Sequence, residues 1–298
     1  MSYQSIFHLD LFQNQTIIVT GGGSGIGRCT AHELASLGAK VLIVGRNSEK
    51  LDKVVQEIRT VGGKVYAYSC DIRQEAAVTE LISSIKQEHG VIHGLVNNAG
   101  GQYMTPLAQI SAKGFDAVVQ TNLNGGFLMM RECLKQSMQE HGGSIVNIVA
   151  DMWGSMPGMA HSGAARAGMV SLTETAALEW AQFGVRVNAV APGYIASSGM
   201  DHYPAEAGPM LRKMAKTVPL GRFGTESETS AGIVFLLSPA ASFISGSTLR
   251  MDGARPQVRM GWGDFVANPQ TQNKPAIRAF DGFQLAIQPK VFQTTDPS

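Results

Sequence analysis

The sequence has few cysteines, few charges and no long apolar run, and each shortage excludes a class of protein. Its 298 residues include three cysteines, Cys29, Cys70 and Cys133, with no C-x-x-C spacing. Neither a disulfide framework nor a thiolate zinc site is therefore expected. No apolar run reaches the roughly 18 residues of a membrane span, and the first ten residues lack the basic and apolar regions of a secretory signal. We expect a cytoplasmic protein without a membrane span.

The sequence also has no large excess of charge of either sign. Lys and Arg total 24 and Asp and Glu total 23, so the net charge is +1. A nucleic-acid partner is not expected, because that partner needs a strongly basic surface. His89 and His93 have helical spacing, but Gly90 interrupts the helix that would align them, so no metal site is expected. Hydrophobic residues make up 44% of the chain, which is enough for a large core.

Short apolar runs alternate with longer segments of helical pattern. Strands buried on both faces are apolar throughout, and their alternation with helices is typical of right-handed βαβ units. The pattern predicts an α/β fold, a Rossmann-type doubly wound parallel sheet of about seven strands with helices on both faces. The predicted strands are Thr16 to Thr20, Val41 to Val44, Val65 to Ser69, Ile92 to Val96, Ile145 to Val149, Val185 to Val190 and Thr248 to Met251.

Two segments depart from the βα rhythm. Residues 196–221, rich in Met, Pro and small residues, follow the end of a predicted strand, where ligands bind in open α/β sheets, and they form a candidate substrate lid. Residues 254–298 have few apolar runs. We expect one Rossmann domain over 1–253 and a C-terminal extension over 254–298 that packs on the domain or on a neighbouring subunit.

A glycine-rich turn follows the first predicted strand. The segment 20–27 reads TGGGSGIG and is followed by a helical pattern. Glycines let the backbone approach a pyrophosphate, and the helix that begins there offers free N–H groups. The context predicts a dinucleotide site. At the end of the second strand stands Arg46, where an NAD site usually has a carboxylate, and its guanidinium can pair with a ribose 2′-phosphate; NADP(H) is therefore favoured over NAD(H).

Further motifs follow in a definite order. They are CDI at 70–72, NNAG at 97–100, Asn188 with PG at 192–193, and DG at 252–253. With the glycine turn they make the chain, from about Leu11 to Gly253, similar to the short-chain dehydrogenase/reductase family. The resemblance implies one set of cofactor-binding residues, which contact the adenine, line the rest of the cofactor or contact the nicotinamide. The set is Gly21, Ser24, Gly25, Ile26, Gly27, Arg46, Asp71, Ile72, Asn97, Asn98, Ala99, Gly100, Arg166, Pro192, Gly193 and Ile195.

The family's catalytic set of Asn, Ser, Tyr and Lys is preserved here only in its Asn, which matches Asn122. The Ser position falls on Val149 or Ala150, and the Tyr and Lys positions fall on Ser162 and Arg166. Their i, i+4 spacing places both on one helix face. Arginine stays protonated and a serine hydroxyl is far less acidic than a phenol, so the ordinary alcohol-oxidising mechanism is in doubt.

The strings around 98–103, 141–148, 161–168 and 237–244 resemble the peroxisomal trans-2-enoyl-CoA reductase and 2,4-dienoyl-CoA reductase branch. The resemblance implies NADPH-dependent reduction of a trans-2-enoyl-CoA-type double bond. Bacterial relatives imply an alternative, oxidation or reduction of a citronellol/citronellal-like terpenoid. A catalytically inactive dinucleotide-binding sensor or scaffold is a third hypothesis. The branch's proton-donor position, one turn after Arg166, holds Val170, which leaves Tyr103, His161 and Tyr194 as substitute donors.

Methionine is abundant, with 14 residues. Flexible thioethers suit an irregular apolar ligand surface, although they are also common in cores. We expect a small hydrophobic substrate, including a CoA thioester, whose phosphates could meet Arg212, Lys213 and Lys216 in the lid segment. The family resemblance further implies a homodimer or homotetramer.

Overall fold

Seven parallel strands form the central sheet of the computed structural model, which describes residues 3, 7–198, 200, 208–258, 265–283, 285, 286 and 289. The sheet order is β3-β2-β1-β4-β5-β6-β9, and β7 and β8 form a separate parallel pair. This is the doubly wound arrangement expected from the βαβ rhythm, and that prediction is confirmed. The strands are β1 (Thr16–Thr20), β2 (Lys40–Gly45), β3 (Lys64–Ser69), β4 (Gly94–Asn97), β5 (Gly143–Ile148), β6 (Val185–Pro192), β7 (Ile195–Ala196), β8 (Gly224–Thr225) and β9 (Thr248–Met251).

Successive residues of the central strands enter two different apolar layers. Ile18 and Leu95 belong to the layer on one face, whereas Ile17 and Val96 belong to the layer on the other. Every residue of β1 is buried, and its three central residues are all apolar because neither face of the strand meets water. The predicted fourth strand begins two residues later than its apolar run suggested, because Ile92 and His93 precede the ladder that β4 forms with β1 from Gly94 onward.

Helices cover both faces of the sheet. They are α1 (Gly25–Ser36), α2 (Ser48–Thr60), α3 (Glu75–His89), α4 (Ala112–Val119), α5 (Gly125–Cys133), α6 (Gln139–His141), α7 (Ala160–Glu179), α8 (Gly208–Ala215), α9 (Glu226–Leu237) and α10 (Pro269–Gln272). Two π-helical turns, Gln120–Asn124 and Leu134–Met138, join α4, α5 and α6 into one continuous helical run. Among the described residues no helix is long and apolar enough to cross a membrane.

Several described residues near the C-terminus contact earlier parts of the chain. Phe283 is 2% exposed and forms an antiparallel bridge with Tyr3, and its ring faces that of His32 at 4.7 Å. The carbonyl of Phe280 accepts a hydrogen bond from Thr225 Oγ1 at the start of α9. These residues therefore connect the C-terminal part of the chain with Tyr3, with α1 and with the start of α9.

Candidate active site

The glycine turn between β1 and α1 is closed by contacts that exclude a side chain. Gly21 has a φ of +66°, and a Cβ on Gly27 would collide with the carbonyl of Gly21. Ser24 precedes the helix, and its side chain makes no capping hydrogen bond. The first turn of α1 contains no acidic residue. The turn therefore offers the backbone N–H groups and the positive end of a helix that a pyrophosphate requires.

Thr20, which the motif reading did not single out, connects this turn to the end of β4. Its Oγ1 accepts hydrogen bonds from the N–H groups of Asn98 and Ala99, each at 3.0 Å. The amide of Asn98 donates in return to the Thr20 carbonyl at 3.0 Å. The predicted motif NNAG thus packs directly on the glycine turn. A Thr at the end of a buried strand carries no sequence signal that separates this role from ordinary packing.

A cavity of about 220 Å³ opens at the carboxyl ends of β1 to β4. Seven predicted cofactor residues line it, namely Gly21, Ser24, Arg46, Asp71, Ile72, Ala99 and Gly100. The other predicted cofactor residues do not line it, namely Gly25, Ile26, Gly27, Asn97, Asn98, Arg166, Pro192, Gly193 and Ile195. The size, the glycine turn and the position at the switch of strand order fit the adenosine half of a dinucleotide.

Positive charge dominates the end of this cavity beside β2. Arg46, Lys50 and Arg73 line it with a single carboxylate, Asp71. Arg73 donates from Nε to both carboxylate oxygens of Asp71, at 2.8 and 3.1 Å. These hydrogen bonds, together with the nearby charge of Arg46, hold the pKa of Asp71 below its usual value. Asp71 is thus neutralised by Arg73, and the charges of Arg46 and Lys50 remain in excess.

The predicted reaction end lies beyond Gly100. A Cβ on Gly100 would collide with the guanidinium of Arg166 and would stand 2.9 Å from Asn122 Oδ1. Arg166 is 8% exposed and donates from Nη1 to the carbonyl of Ile148. Burial lowers its pKa to about 10, which still leaves the guanidinium charged at neutral pH. The structure therefore brings Gly100, Asn122 and Arg166 together at the end of β5.

Asn122 and Ser162 are both buried, and both bind the loop that follows Gly100. Asn122 lies on the π-helical turn and is 2% exposed. Its Nδ2 donates to the carbonyl of Gly101 at 2.9 Å, and its Oδ1 accepts from the N–H of Gly101 at 2.8 Å. Ser162 is fully buried on α7, and its Oγ donates to Oε1 of Gln102 at 3.2 Å. Neither side chain reaches the surface itself.

The three substitute proton donors occupy two different places. Tyr103 and His161 have their rings 4.6 Å apart in an edge-on arrangement. Tyr103 is 42% exposed, whereas His161 is fully buried, and its Nδ1 accepts from the N–H of Ser162. Within the described part of the chain, His161 Nε2 has no hydrogen-bond partner. Tyr194 instead packs on Phe223, with ring centroids 5.5 Å apart, beside the lid.

One titratable group at the carboxyl end of β5 was not predicted from the sequence. Asp151 follows β5, and its N–H donates to the carbonyl of Pro192 at 3.0 Å. Its Oδ1 is buried without a partner among the described residues. Burial and then the nearby charge of Asp252 raise the pKa of Asp151. The family's Ser position falls on Val149 or Ala150, and no motif in the sequence indicates a role for Asp151, the residue that follows.

Comparison with known proteins agrees with this architecture. The family model described as Enoyl-(Acyl carrier protein) reductase matches residues 21–254. A probable 2,4-dienoyl-CoA reductase of Bacillus subtilis is 37% identical over 246 residues, which is 82% of this chain and 97% of that protein. A 3-oxoacyl-[acyl-carrier-protein] reductase of Synechocystis is 39% identical over 243 residues, with 80% and 96% of the two chains covered.

A solved structure gives a higher identity. The citronellol catabolism dehydrogenase AtuB of Pseudomonas aeruginosa is 59% identical with a TM-score of 0.77, and the match covers 85% of this chain and 99% of that one. The resemblance inferred from the motifs is thereby confirmed at the level of the family. The chain belongs to the short-chain dehydrogenase/reductase family of oxidoreductases, whose members bind NAD(P)(H).

Proposed function

We propose that this oxidoreductase uses NADPH to reduce a carbon–carbon double bond conjugated to the thioester of a hydrophobic acyl-CoA. The observation that carries the proposal is the pair Ser162 and Arg166, which stands where alcohol dehydrogenases of the family have their phenol and amine. Both residues are buried, and neither side chain readily changes its protonation state at neutral pH, as a general acid or base must. The similarity to the dienoyl-CoA reductase of Bacillus subtilis supports the same chemistry.

The charge around the adenosine cavity supports NADP(H) over NAD(H). A ribose 2′-phosphate needs cationic donors that are not already paired. Arg46 and Lys50 line the cavity, whereas the only lining carboxylate, Asp71, is bound by Arg73. An unpaired carboxylate near Arg46 would favour the ribose hydroxyls of NAD(H), and the lining residues include none.

The reduced nicotinamide, when bound, supplies a hydride to the carbon β to the thioester. The residues of this chain then have two tasks. Arg166 and Gly100 shape the wall between the adenosine cavity and the reaction end, where the guanidinium can donate to ribose hydroxyls without titrating. Donors near the thioester must stabilise the negative charge that develops on its oxygen. The α-carbon of the resulting enolate can take its proton from water or from a substitute donor.

The substrate and assembly proposals rest on surface features. Met104 and Met210 are exposed on the loop after β4 and on α8, which supports an apolar acyl chain. Lys213 in the last turn of α8 supports contact with CoA phosphates. Phe115 on α4 and Phe127 on α5 are more than one-third exposed, which supports a homodimer or homotetramer. The three thiols are free and buried, in keeping with a cytoplasmic protein.

The domain assignment is also a proposal. The family model ends at residue 254, which supports a catalytic unit over 1–253 and a separate extension over 254–298. The candidate lid, 196–221, includes α8, but residues 199 and 201–207 lie outside the described part of the chain. Hydrogen bonds from Gln272 to Gly221 and from Arg222 to Ile277 connect the end of the lid to the extension. These contacts support the packing of the extension on its own domain.

A second function, reduction or oxidation of a citronellal-like terpenoid, is favoured by the 59% identity to AtuB. That chemistry places a proton on, or removes one from, the carbonyl oxygen, and so needs a titrating group nearby. Tyr103 with His161, or Tyr194, would have to provide it. The Tyr103–His161 ring contact supports the first pair, because it places an imidazole beside an exposed phenol.

The test mixes the purified protein with NADPH or NADH and follows the absorbance of the reduced cofactor with a medium-chain trans-2-enoyl-CoA and, separately, with citronellal. We expect thioester-dependent oxidation of NADPH. Turnover of citronellal alone would refute the thioester proposal and establish the second function. Cofactor binding without turnover of either compound would support the third hypothesis, a dinucleotide-binding sensor.

A further inference from the structure

Three hydrogen bonds converge on a two-residue segment, Gly101-Gln102, directly after the cavity wall, and a fourth holds the same loop further on. Asn122 binds Gly101 through both ends of its amide, as donor to the carbonyl and acceptor from the N–H. Ser162 donates its hydroxyl hydrogen to Gln102 Oε1. Thr105, three residues further on, donates from its N–H to the carbonyl of Gly158 at 2.9 Å. The loop that carries Gln102 is therefore held from α7, from the π-helical turn and from the loop before α7.

The two buried side chains in this arrangement direct their hydrogen bonds at the loop after Gly100. Asn122 binds Gly101 through both ends of its amide, and the hydroxyl hydrogen of Ser162 is directed at Gln102. Ser162 is also fully buried. These two residues would otherwise be the obvious candidates for contact with a carbonyl oxygen. Their hydrogen bonds instead fix the side chain that does reach the surface.

Gln102 differs from an ordinary exposed glutamine. Gln102 is exposed, yet its Oε1 accepts a hydrogen bond from Ser162, a fully buried residue 60 positions further along the chain. With Oε1 accepting from Ser162, the orientation of the amide is set, and Nε2 carries two hydrogens with no acceptor among the described residues. The amide therefore presents a fixed donor two residues after Gly100, which lines the cofactor cavity.

We infer that Gln102 is a catalytic residue, whose Nε2–H donates to the carbonyl oxygen of the substrate, and that Ser162 and Asn122 are its positioning residues. The inference rests on the proposed reduction of a conjugated thioester. As NADPH transfers its hydride to the β-carbon, the carbon–carbon π bond breaks, its electrons move toward the thioester oxygen, and NADP⁺ is formed. Gln102 stabilises the oxygen charge, and the α-carbon of the enolate then takes a proton from water.

A preorganised donor of this kind costs no reorganisation when charge develops. A glutamine free in solvent would have to be ordered on binding, at a cost in side-chain entropy. The hydrogen bond from buried Ser162 provides that order in advance. The same donor serves an aldehyde oxygen, so the inference extends to citronellal if that is the substrate.

The first test replaces the Nε2 donor by an acceptor of nearly the same shape. Gln102→Glu is expected to lower kcat for the enoyl-CoA by about 10²–10³ and to leave the Kd for NADPH unchanged. Gln109→Glu, the same substitution at an exposed glutamine of the following loop, is the matched control and should retain wild-type kcat. Equal activity of wild type and Gln102→Glu overturns the inference.

The second test separates positioning from direct contact. Ser162→Ala should lower kcat in the wild-type background and should have no further effect in Gln102→Ala, because its only role is to orient the glutamine. Multiplicative losses, that is, the same fold-loss in both backgrounds, would show that Ser162 acts independently of Gln102 and would overturn its assignment as a positioning residue. Titration with NADPH reports whether each variant still binds cofactor.

A third measurement does not depend on turnover. With NADP⁺ present, isotope-edited infrared spectra of bound hexanoyl-CoA should show a lower thioester carbonyl frequency in wild type than in Gln102→Glu, since a donated hydrogen bond weakens the C=O bond. Suppose that the wild type turns over enoyl-CoA or citronellal, but that the carbonyl frequency and kcat are the same in wild type and in Gln102→Glu. This inference then fails and the proposed function stands. If the frequency responds to Gln102 while enoyl-CoA is not reduced, the proposed reaction fails and the donor stands. Binding of neither hexanoyl-CoA nor citronellal overturns both.

Discussion

Removal of the Arg46 guanidinium tests the assignment of the cofactor most directly. Arg46 is exposed at the end of β2 and lines the adenosine cavity, where the lining carboxylate, Asp71, already binds Arg73. Its charge is therefore available to a 2′-phosphate. A hydrogen bond to a charged group contributes about 1.5–3 kcal/mol. Solvent screening at this exposed position favours the lower end of that range, about 1.5 kcal/mol.

A change of about 1.4 kcal/mol is tenfold in an equilibrium constant. We therefore expect Arg46→Ala to raise the Kd for NADPH about tenfold and to leave the Kd for NADH unchanged, because NADH has no 2′-phosphate. The loss should shrink as salt is added, since the interaction is between exposed charges. Titration followed by the fluorescence of the reduced cofactor measures both constants.

Lys53→Ala is the matched control for the Arg46 substitution. Lys53 is an exposed cation on the neighbouring helix α2 and does not line the cavity. Its removal lowers the net charge by the same amount and should leave both dissociation constants near their wild-type values. Equal losses for NADH and NADPH in Arg46→Ala, or no loss at all, would refute the reasoning from the cavity charges.

Two further predictions concern Phe283, whose ring packs on α1, and Glu226, the first residue of α9. Phe283→Ala should lower the free energy of unfolding by about 3–5 kcal/mol, because the ring is 2% exposed between Tyr3 and α1; denaturant titration measures this, and Phe265→Ala, at a 78% exposed ring, should have little effect. Burial raises the pKa of Glu226 to about 7 from its usual 4.5, so the native state binds more protons than the unfolded state between these values. Stability should therefore fall as pH rises from about 4.5 to about 7, and Glu226→Gln should remove up to about 3 kcal/mol of that decline; a decline of equal size in the variant would contradict the assignment.

Much of the fold could be predicted from the sequence because its signals are local. An apolar run such as 17–19 is a consequence of burial on both faces, and the glycine turn after β1 indicates a backbone that has no room for side chains. The spacing of Ser162 and Arg166 likewise placed them on one helix face. The exact start of β4 could not be predicted, because the apolar residue Ile92 is buried outside the ladder.

Less of the site than of the fold could be predicted from the sequence, because side-chain partners are set by contacts between distant parts of the chain. The sequence by itself determined the family, the dinucleotide turn and the absence of the usual phenol and amine beside Asn122. Only the tertiary structure decided that Ser162 is fully buried, that its hydroxyl binds Gln102, and that Asp151 has an unpartnered carboxylate oxygen. Ser162 and Gln102 stand 60 positions apart and meet only when α7 packs beside the loop after β4. No local pattern encodes the direction of such a hydrogen bond, since it depends on which groups the folded chain leaves without water.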